Sequence, residues 1–346
     1  MARRRGNNEG SITQRPNGSW RAQVRVDGKR LSYGAETRKM CQEWLKKMIG
    51  QVDSGLSLTG ALMKFSEFIE LWLDTVKENR RPTTYIQYRI IINRYILPAF
   101  GDLRLKDLEP MKIEAYLTAK KKSGLGGRTC QMIYAIMHVI LASAVRKGLL
   151  GHNPMNAVEK PRVANPKRKV TLTAEQVQQL LIAASESGDE VLYQVELSTG
   201  LREGELSGLK WSDINWGRAT IRIQRQVQRI TGQGLVFSPP KTETGNRVLA
   251  LGKQTLAKLH EHREQQAQAK MLAGERWQDF DLIFPTVIGT PKDPHNLLKD
   301  FKRLLAKAGL PDMRFHDLRH TSITLLLNEV GVPIKEAQRR AGHASP

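Results

Sequence analysis

The chain has 346 residues, too many for one ordinary hydrophobic core, so its length predicts two or three domains. Its 55 lysines and arginines outnumber its 34 aspartates and glutamates, which gives a formal net charge of +21. This excess favours a polyanionic partner, because each phosphate that a protein neutralises releases condensed counterions. Charge alone leaves open a basic surface without such a partner, and it separates neither DNA from RNA nor a binding protein from an enzyme.

Targeting and redox features favour the cytoplasm. No apolar run approaches the roughly 20 residues of a membrane span, and the N-terminus Met-Ala-Arg-Arg-Arg has no secretory signal. The two cysteines, Cys41 and Cys130, have neither metal-site spacing nor the pattern of a disulfide framework. We therefore expect a cytoplasmic protein with no membrane partner.

Residues 1–58 predict a small module of three antiparallel strands packed on one helix. Asn-Gly and Asp-Gly turn signals bracket a strict alternation of apolar and polar residues over 20–26, and Thr37 is placed to cap the helix. The polar face of the middle strand carries Arg21, Gln23 and Arg25. We predict that this face binds DNA, because a narrow β-sheet fits the major groove. A face that is merely solvated is the alternative.

Residues 60–162 predict a domain of four helices. Apolar side chains recur at helical spacing in each helix, and the second helix is expected to end at Pro98 and Gly101. Aromatic and methionine side chains at these positions indicate a core rather than a cofactor site. The basic segment 163–169, which contains Pro166, suits a linker that lies along phosphates.

Residues 170–346 predict a mixed, mostly helical domain. Thr173 and Gln176 form a capping box at its first helix, and strands that turn at residues 232–234 form a small antiparallel sheet with a third strand at 248–251. The fold predicted for the whole chain is therefore multidomain and mainly α-helical, with small antiparallel sheets (α+β).

The last domain also gathers residues that suit phosphoryl transfer. The five candidates are Arg202, Lys241, His316, Arg319 and His343. Arginines can fork two hydrogen bonds onto a phosphodiester, histidines can donate to it or move a proton, and a lysine on a hairpin can reach a leaving oxygen. We predict a turn at Gly200 and a helix that opens at Arg202. Glu205, three residues after Arg202, can hold that arginine by a charge-assisted bond. Such a set supports phosphoryl transfer without a metal.

Competing interpretations of these residues are weaker. A lone Arg-x-x-Glu or hairpin lysine is more often a solvated surface feature, and His316, Asp317 and His320 make a poor set of metal ligands. His260 and His262 predict an exposed helix face. No HExxH, GxxxxGK[ST] or paired-carboxylate motif occurs, so zinc-protease, nucleotide-hydrolase and two-metal nuclease chemistry lack support. We predict neither metal ligands nor a cofactor.

Four motifs in order, TGLREGELSGLKWSDI, PPKTETGNRVLAL, HDLRHT and AGH, resemble those of the tyrosine recombinase (phage integrase) family. The resemblance extends over the whole chain. It implies that residues 1–58 are an arm-type DNA-binding domain, residues 60–162 the core-binding domain and residues 170–346 the catalytic domain.

The resemblance also implies a role for each candidate residue. Arg202 and Arg319 match the two arginines that clamp the scissile phosphate, and Lys241 matches the hairpin lysine that acts as general acid to the 5′-oxygen. His316 matches the histidine of the His-x-x-Arg box. His343 matches the last histidine, which hydrogen-bonds the scissile phosphate.

The nucleophile of this family is a tyrosine on a helix that follows the last histidine, and it forms a 3′-phosphotyrosine. All seven tyrosines of this chain precede Arg202, and none matches that nucleophile; they are Tyr33, Tyr85, Tyr88, Tyr95, Tyr116, Tyr134 and Tyr193. We expect a partial chain of an active family that stops before the tyrosine helix. A natural DNA-binding protein without a nucleophile and a tyrosine donated by another subunit are the alternatives.

The function that the resemblance implies is site-specific DNA recombination of the integrase type, without metal or nucleotide. Its implied partners are double-stranded DNA at core and arm attachment sites, further copies of the chain in a homotetramer, and accessory DNA-bending or directionality proteins. A DNA-binding regulator that occupies attachment sites without cutting is one alternative. A type IB topoisomerase-like enzyme is another, and the separate arm-type module argues against it, since relaxation needs no second site.

Overall fold

The structure is a computed structural model, and it describes residues 10–26, 29–53, 57, 60–163, 170–240 and 245–328. The chain divides into two compact units, Met1–Pro166 and Lys167–Pro346. This division falls within the basic segment 163–169, of which 164–169 lie outside the described residues. The finer boundary near residue 58 stays a prediction.

The N-terminal part of the first unit is a three-stranded antiparallel sheet packed on one helix, as predicted. Its elements are β1 (Ser11–Gln14), β2 (Trp20–Val26), β3 (Lys29–Ala35) and α1 (Arg38–Asp53), in the strand order β1-β2-β3. Ala22 and Val24 are buried, and Tyr33, the cross-strand partner of Ala22, stacks on Trp44 of α1 with ring centroids 5.5 Å apart. Since side chains alternate across a strand, the basic residues of β2 lie on the opposite face.

Helices form the rest of the first unit. They are α2 (Phe65–Asn79), α3 (Pro82–Ile91), α4 (Leu97–Phe100), α5 (Pro110–Lys122) and α6 (Gly127–Arg146). A π-helical turn, Ile92–Ile96, joins α3 to α4. The prediction that Pro98 ends this helix is wrong, because the wider turn precedes the proline and leaves it in the first turn of α4, where it needs no N–H donor. The helix ends at Phe100, with Gly101 as its C-cap.

Helix α6 has a length and composition that the sequence analysis overlooked. Among the described residues, α6 is the one helix that is both long enough and apolar enough to cross a membrane. Its most apolar window has a mean hydropathy of 1.3. Its side chains Ile133, Met137 and Ile140 are fully buried in the core that it shares with α2 and the π-helical turn. The apolar character of α6 is therefore accounted for by this core.

The second unit combines helices with short strands. Its helices are α7 (Ala174–Ser185), α8 (Glu190–Thr199), α9 (Glu203–Ser207), α10 (Lys253–Ala273), α11 (Pro294–Lys307) and α12 (Phe315–Asn328). Its strands are β4 (Ile214–Asn215), β5 (Thr220–Ile223), β6 (Gln226–Ile230), β7 (Gly234–Ser238) and β8 (Arg247–Ala250). This architecture confirms the predicted fold class.

The strands differ from the prediction of a single small sheet. Within the described residues, β4, β5 and β8 form one antiparallel sheet, and β6 and β7 form a separate hairpin. The chain leaves the first sheet at Gln224 and Arg225, whose side chains both bind the carboxylate of Asp213. The third strand of the first sheet is β8, which pairs with β5.

Helix α8 lies in the core of the second unit. The ring of Tyr193 is 5.9 Å from that of Phe301 on α11 and 6.4 Å from that of Phe315 on α12, measured between centroids, and Tyr193 is 2% exposed. Since α8 is held by these neighbours, the turn that follows it has a fixed position beside α12.

The predicted capping box at α7 is present and can be tested. Thr173 Oγ1 accepts from the backbone N–H of Gln176, and the Gln176 side chain accepts from the backbone N–H of Thr173. Thr173→Ala leaves one N–H of the first turn without its acceptor, so we expect it to lower the free energy of unfolding by about 1 kcal/mol. Urea unfolding followed by circular dichroism measures this change. Thr173→Ser keeps the acceptor and is the control; an equal loss in both variants would contradict the capping role.

Candidate active site

The turn between α8 and α9 is built on a glycine. Gly200 has φ +60°, in the left-handed region that favours glycine, and a Cβ added there would meet Ser322 Oγ of α12 at 3.3 Å. The turn places Arg202 at the N-cap position of α9. The sequence analysis predicted both the turn at Gly200 and the helix start at Arg202.

Glu205 holds Arg202 in place. Its Oε1 accepts from Arg202 Nη1 at 2.7 Å, and its Oε2 accepts from the backbone N–H of Arg202 at 3.1 Å. The side chain of Glu205 is 1% exposed, whereas that of Arg202 is 31% exposed. Burial alone raises the pKa of Glu205, but hydrogen bonds and charge from Arg247 and Arg202 outweigh it and hold that pKa below its ordinary value. Glu205 is therefore an ionised acceptor at neutral pH.

Arg319 is buried beside the same turn. It lies on α12, is 1% exposed, and donates from Nη1 to the carbonyl oxygen of Gly200 at 2.6 Å. Burial, followed by the positive charge of Arg202, lowers its pKa to about 10. The guanidinium still carries its charge at neutral pH, so the turn brings two positive side chains together.

Glu196 is a buried carboxyl that the sequence analysis missed. It is fully buried on α8, and neither carboxyl oxygen has a hydrogen-bond partner among the described residues. Burial raises its pKa well above the ordinary value, although Arg319 acts in the opposite direction. This shift opposes the ionisation of Glu196 and so reduces its tendency to cancel the charge of the arginines. A signal was available, because Glu196 lies between the apolar residues Val195 and Leu197.

Arg247 is a second residue that the sequence analysis missed. It is the first residue of β8, is 8% exposed, and donates from Nη2 to Glu205 Oε2 at 3.0 Å. The strand alternates, so Arg247 takes an inward position in line with the buried Leu249 and Leu251. A charged residue at an inward position was the available signal.

His316 lies at the start of α12, on the same helix as Arg319. Its ring is perpendicular to that of His320, with centroids 5.4 Å apart. The residue is open to solvent on its outer side, but its inner side is covered by protein. Burial, then the charges of Arg319 and His320, lower the pKa of His316 to about 4. The imidazole is therefore neutral at pH 7, with one N–H donor and one acceptor nitrogen.

The start of α12 is fixed by Asp317. This carboxylate accepts from the backbone N–H, Nε and Nη2 of Arg314 at 3.0, 3.1 and 2.7 Å. The bonds hold the pKa of Asp317 below its ordinary value, although burial acts against them. Asp317 thereby anchors the helix that carries His316 and Arg319.

The prediction of an exposed face at His260 and His262 is wrong for His262. Its Nε2 lies 2.8 Å from the carbonyl oxygen of Ile283, and its ring packs against Phe284 and Trp211. Burial lowers the pKa of His262. This histidine is on the inward side of α10 because the Ile283 segment covers it. His260 is exposed.

Three of the five candidates from the second unit therefore meet at one place: Arg202, His316 and Arg319. Lys241 and His343 lie outside the described residues. Their assignment rests on the sequence motifs.

The polar face predicted on β2 is present in the first unit. Arg21 is paired across the strands with Thr13 and Gly34, and Gln23 with Ser11 and Ser32. Arg21 and Gln23 are half-buried on that face. Arg25 is exposed and stands opposite Arg30, also exposed.

Comparisons with known proteins agree with this geometry. The model of the family described as "Phage integrase family" matches residues 170–346, and that of "Phage integrase, N-terminal SAM-like domain" matches residues 64–120. A "Tyrosine recombinase XerC-like" protein of Caldanaerobacter subterraneus is 26% identical over 335 residues, covering 91% of this chain and 85% of the relative. The ICEBs1 integrase of Bacillus subtilis is 26% identical over 314 residues, covering 90% of this chain and 84% of that protein.

Solved structures share the fold. The Tn1549 transposon integrase in complex with a circular intermediate DNA has a TM-score of 0.71 at 20% identity, covering 82% of this chain and 92% of that one. A lambda integrase tetramer bound to a Holliday junction has a TM-score of 0.62 at 20% identity, covering 99% of this chain and 97% of that one. Since the first family model spans residues 170–346, more than half of the 346 residues, the chain belongs to the phage integrase family of tyrosine recombinases.

Proposed function

We propose that the chain is a site-specific DNA recombinase that breaks and rejoins DNA at a phosphate held by Arg202 and Arg319. The observation that carries the proposal is the excess of positive charge at the α8–α9 turn. Three guanidinium groups, those of Arg202, Arg247 and Arg319, lie around the buried carboxylate of Glu205, and burial raises the pKa of the other buried carboxyl, Glu196, well above its ordinary value. This gathering of guanidinium groups favours an anion at the turn.

This excess suits the chemistry of phosphoryl transfer. A phosphodiester brings one negative charge, and more charge develops on its oxygens as a nucleophile attacks the phosphorus. Fixed donors that face developing charge stabilise the transition state more than the ground state. Arg202 and Arg319 would hold the non-bridging oxygens. His316, neutral at pH 7, would donate one N–H to the same phosphate.

Lys241 and His343 complete the proposed site by their motifs alone. Lys241 would protonate the 5′-oxygen as it leaves, and His343 would hydrogen-bond the phosphate. Neither role requires a metal or a nucleotide, since the charge is neutralised by guanidinium groups and the leaving oxygen takes a proton from the lysine.

Tyr193 does not suit the role of nucleophile. It is the tyrosine of the second unit, and it is 2% exposed between Phe301 and Phe315. Burial raises the pKa of its hydroxyl, which disfavours the phenolate. We therefore infer that Tyr193 does not form the 3′-phosphotyrosine.

The proposed partner is double-stranded DNA at two kinds of attachment site. The first unit would bind arm DNA through the polar face of β2, and the four-helix region with the second unit would bind core DNA. By analogy with the lambda integrase tetramer on a Holliday junction, four protomers would exchange strands. Accessory bending or directionality proteins and a location on cytoplasmic DNA belong to the same proposal.

A DNA-binding regulator that occupies attachment sites without cutting is the second candidate. Strand cleavage by the chain joined to the tyrosine-bearing helix of a family relative separates the two. A phosphate site that is built for catalysis will cleave when given that helix, whereas one that only binds will not.

Arg319→Lys tests the phosphate clamp in that joined chain. Lysine keeps the charge but cannot place two parallel donors on a phosphate, so we expect single-turnover cleavage of a nicked suicide substrate to fall by roughly 10²–10³-fold. Filter binding at matched salt should change little, because one positive charge remains. Arg303→Lys, at an arginine whose side chain is 80% exposed on α11, is the control. Cleavage near the unsubstituted rate in Arg319→Lys would remove Arg319 from the site.

His316 provides a test by pH. Its depressed pKa means that the unfolded chain takes up a proton between pH 6.5 and about 4 that the folded chain does not, so acid lowers stability in this window. A bound phosphate adds negative charge, and we expect it to raise the pKa of His316. NMR titration of the imidazole Cε1–H signal, assigned with His316→Gln, measures both states. A ring that titrates near 6.5 without DNA, or identically with and without it, would contradict this arrangement.

The polar face of β2 is tested by Arg21→Ala combined with Arg25→Ala. We expect arm-site binding to weaken and its salt dependence to fall by a slope of about two, because two arginines no longer neutralise phosphates. Core-site binding should persist. Lys46→Ala with Lys47→Ala removes the same charge from exposed positions of α1 and is the control. Arm and core duplexes selected from random DNA serve in gel-shift titrations; equal weakening at both would rule out separate sites.

A further inference from the structure

Arg247 occupies a position at which a charge is costly. It pairs with Ile223 of β5, and its inward direction is shared with Leu249. Its side chain is 6% exposed, compared with 31% for that of Arg202. A buried guanidinium is tolerated where it is paired and hydrogen-bonded. Arg247 meets this condition through Glu205.

The carboxylate of Glu205 is divided between two arginines. Oε1 accepts from Arg202 Nη1, and Oε2 accepts from both Arg202 N and Arg247 Nη2. Arg247 and the backbone N–H of Arg202 therefore fix the rotation of the carboxylate about its last bond together. That rotation determines which N–H groups of the Arg202 guanidinium donate to Glu205.

Arg247 is itself held from a second side. Its Nη1 donates to the carbonyl oxygen of Gly245 at 3.1 Å. Gly245 is packed so closely on Pro240 that an added Cβ would lie 2.4 Å from Pro240 Cβ. The guanidinium thus spans from the stem of the β7–β8 connection to α9, and its planar fork makes both bonds at once. A lysine has one nitrogen on a flexible stem, so it cannot reproduce that fork.

Removing Arg247 would change what Glu205 does to Arg202. With Oε2 released from Arg247, both oxygens can turn to the Arg202 guanidinium and form a parallel, bidentate pair, which is the preferred geometry of arginine and carboxylate. In the structure, Nε and Nη2 of Arg202 have no protein acceptor among the described residues. A bidentate pair would occupy donors that the phosphate needs.

We propose that Arg247 is a positioning residue that keeps Arg202 available to the DNA phosphate by holding Glu205. The inference rests on the proposed function, since it needs Arg202 to bind phosphate. Arg247 touches no phosphate in this scheme, because its Nη1 and Nη2 both donate within the protein, to Gly245 and Glu205.

A double-mutant cycle on the whole chain tests the proposal. The variants are Arg202→Ala, Arg247→Met and both together, and the probe is a mixed-sequence DNA duplex. We expect Arg202→Ala and Arg247→Met each to lower the slope of log K against log salt by about one, since in each variant Arg202 no longer neutralises a phosphate. In the Arg202→Ala background, Arg247→Met should weaken binding by less than about twofold, the limit of additivity error.

The control is Arg222→Met, which removes an exposed arginine from β5 of the same sheet. Any effect of that variant on DNA affinity should be the same in both backgrounds. If Arg247→Met weakens binding equally with and without Arg202, its role is structural and the proposal is overturned.

Folding is controlled with a second variant. Arg247→Lys keeps the buried charge, and we expect its melting temperature to stay closer to that of the unsubstituted chain while its effect on DNA binding is again confined to the background with Arg202. If Arg247→Met does not fold, Arg247→Lys takes its place in the double-mutant cycle. A loss of DNA affinity that is equal with and without Arg202 then overturns the proposal. Weaker binding in Arg202→Ala but not in either Arg247 variant overturns this inference alone. Unchanged binding in Arg202→Ala overturns the proposed function as well.

Discussion

The carboxylate of Glu205 is the group on which the rest of the candidate site depends. It is 1% exposed and ionised, and it receives three donors from two arginines. A buried carboxylate is costly unless its oxygens are hydrogen-bonded. The fold therefore needs these three donors as much as the site does. The same bonds tie the start of α9 to β8, which joins the helical layer to the sheet.

The charge balance of this cluster favours the proposed binding of an anion. Glu196, the second carboxyl, is fully buried without a described hydrogen-bond partner, and burial raises its pKa well above the ordinary value. This shift opposes the ionisation of Glu196, and an ionised Glu196 would cancel part of the charge of Arg319. Glu205, by contrast, is ionised because two arginines hydrogen-bond it.

The sequence was enough to predict what depends on local pattern. The alternation in β2, the capping box at Thr173 and the turn at Gly200 each follow from residues within a few positions, and the structure confirms them. Features that need distant partners could not be predicted. Arg247 lies 42 residues after Glu205, and their contact requires β8 to pair with β5. The same reason accounts for His262, which is covered by Ile283 from a later segment.

The two basic surfaces of this chain differ in the burial of their charge, and this difference fits the separate roles proposed for them. Arg25 and Arg30 are exposed and stand opposite each other on neighbouring strands, where water and salt screen their charge. Arg319 is buried beside Arg202, so its field is screened much less, and burial lowers its pKa to about 10. Under the proposed function, exposed charge would give affinity at many phosphates along the DNA. Buried charge would act at one phosphate, because a fixed donor can stabilise the charge that develops when a phosphodiester bond breaks.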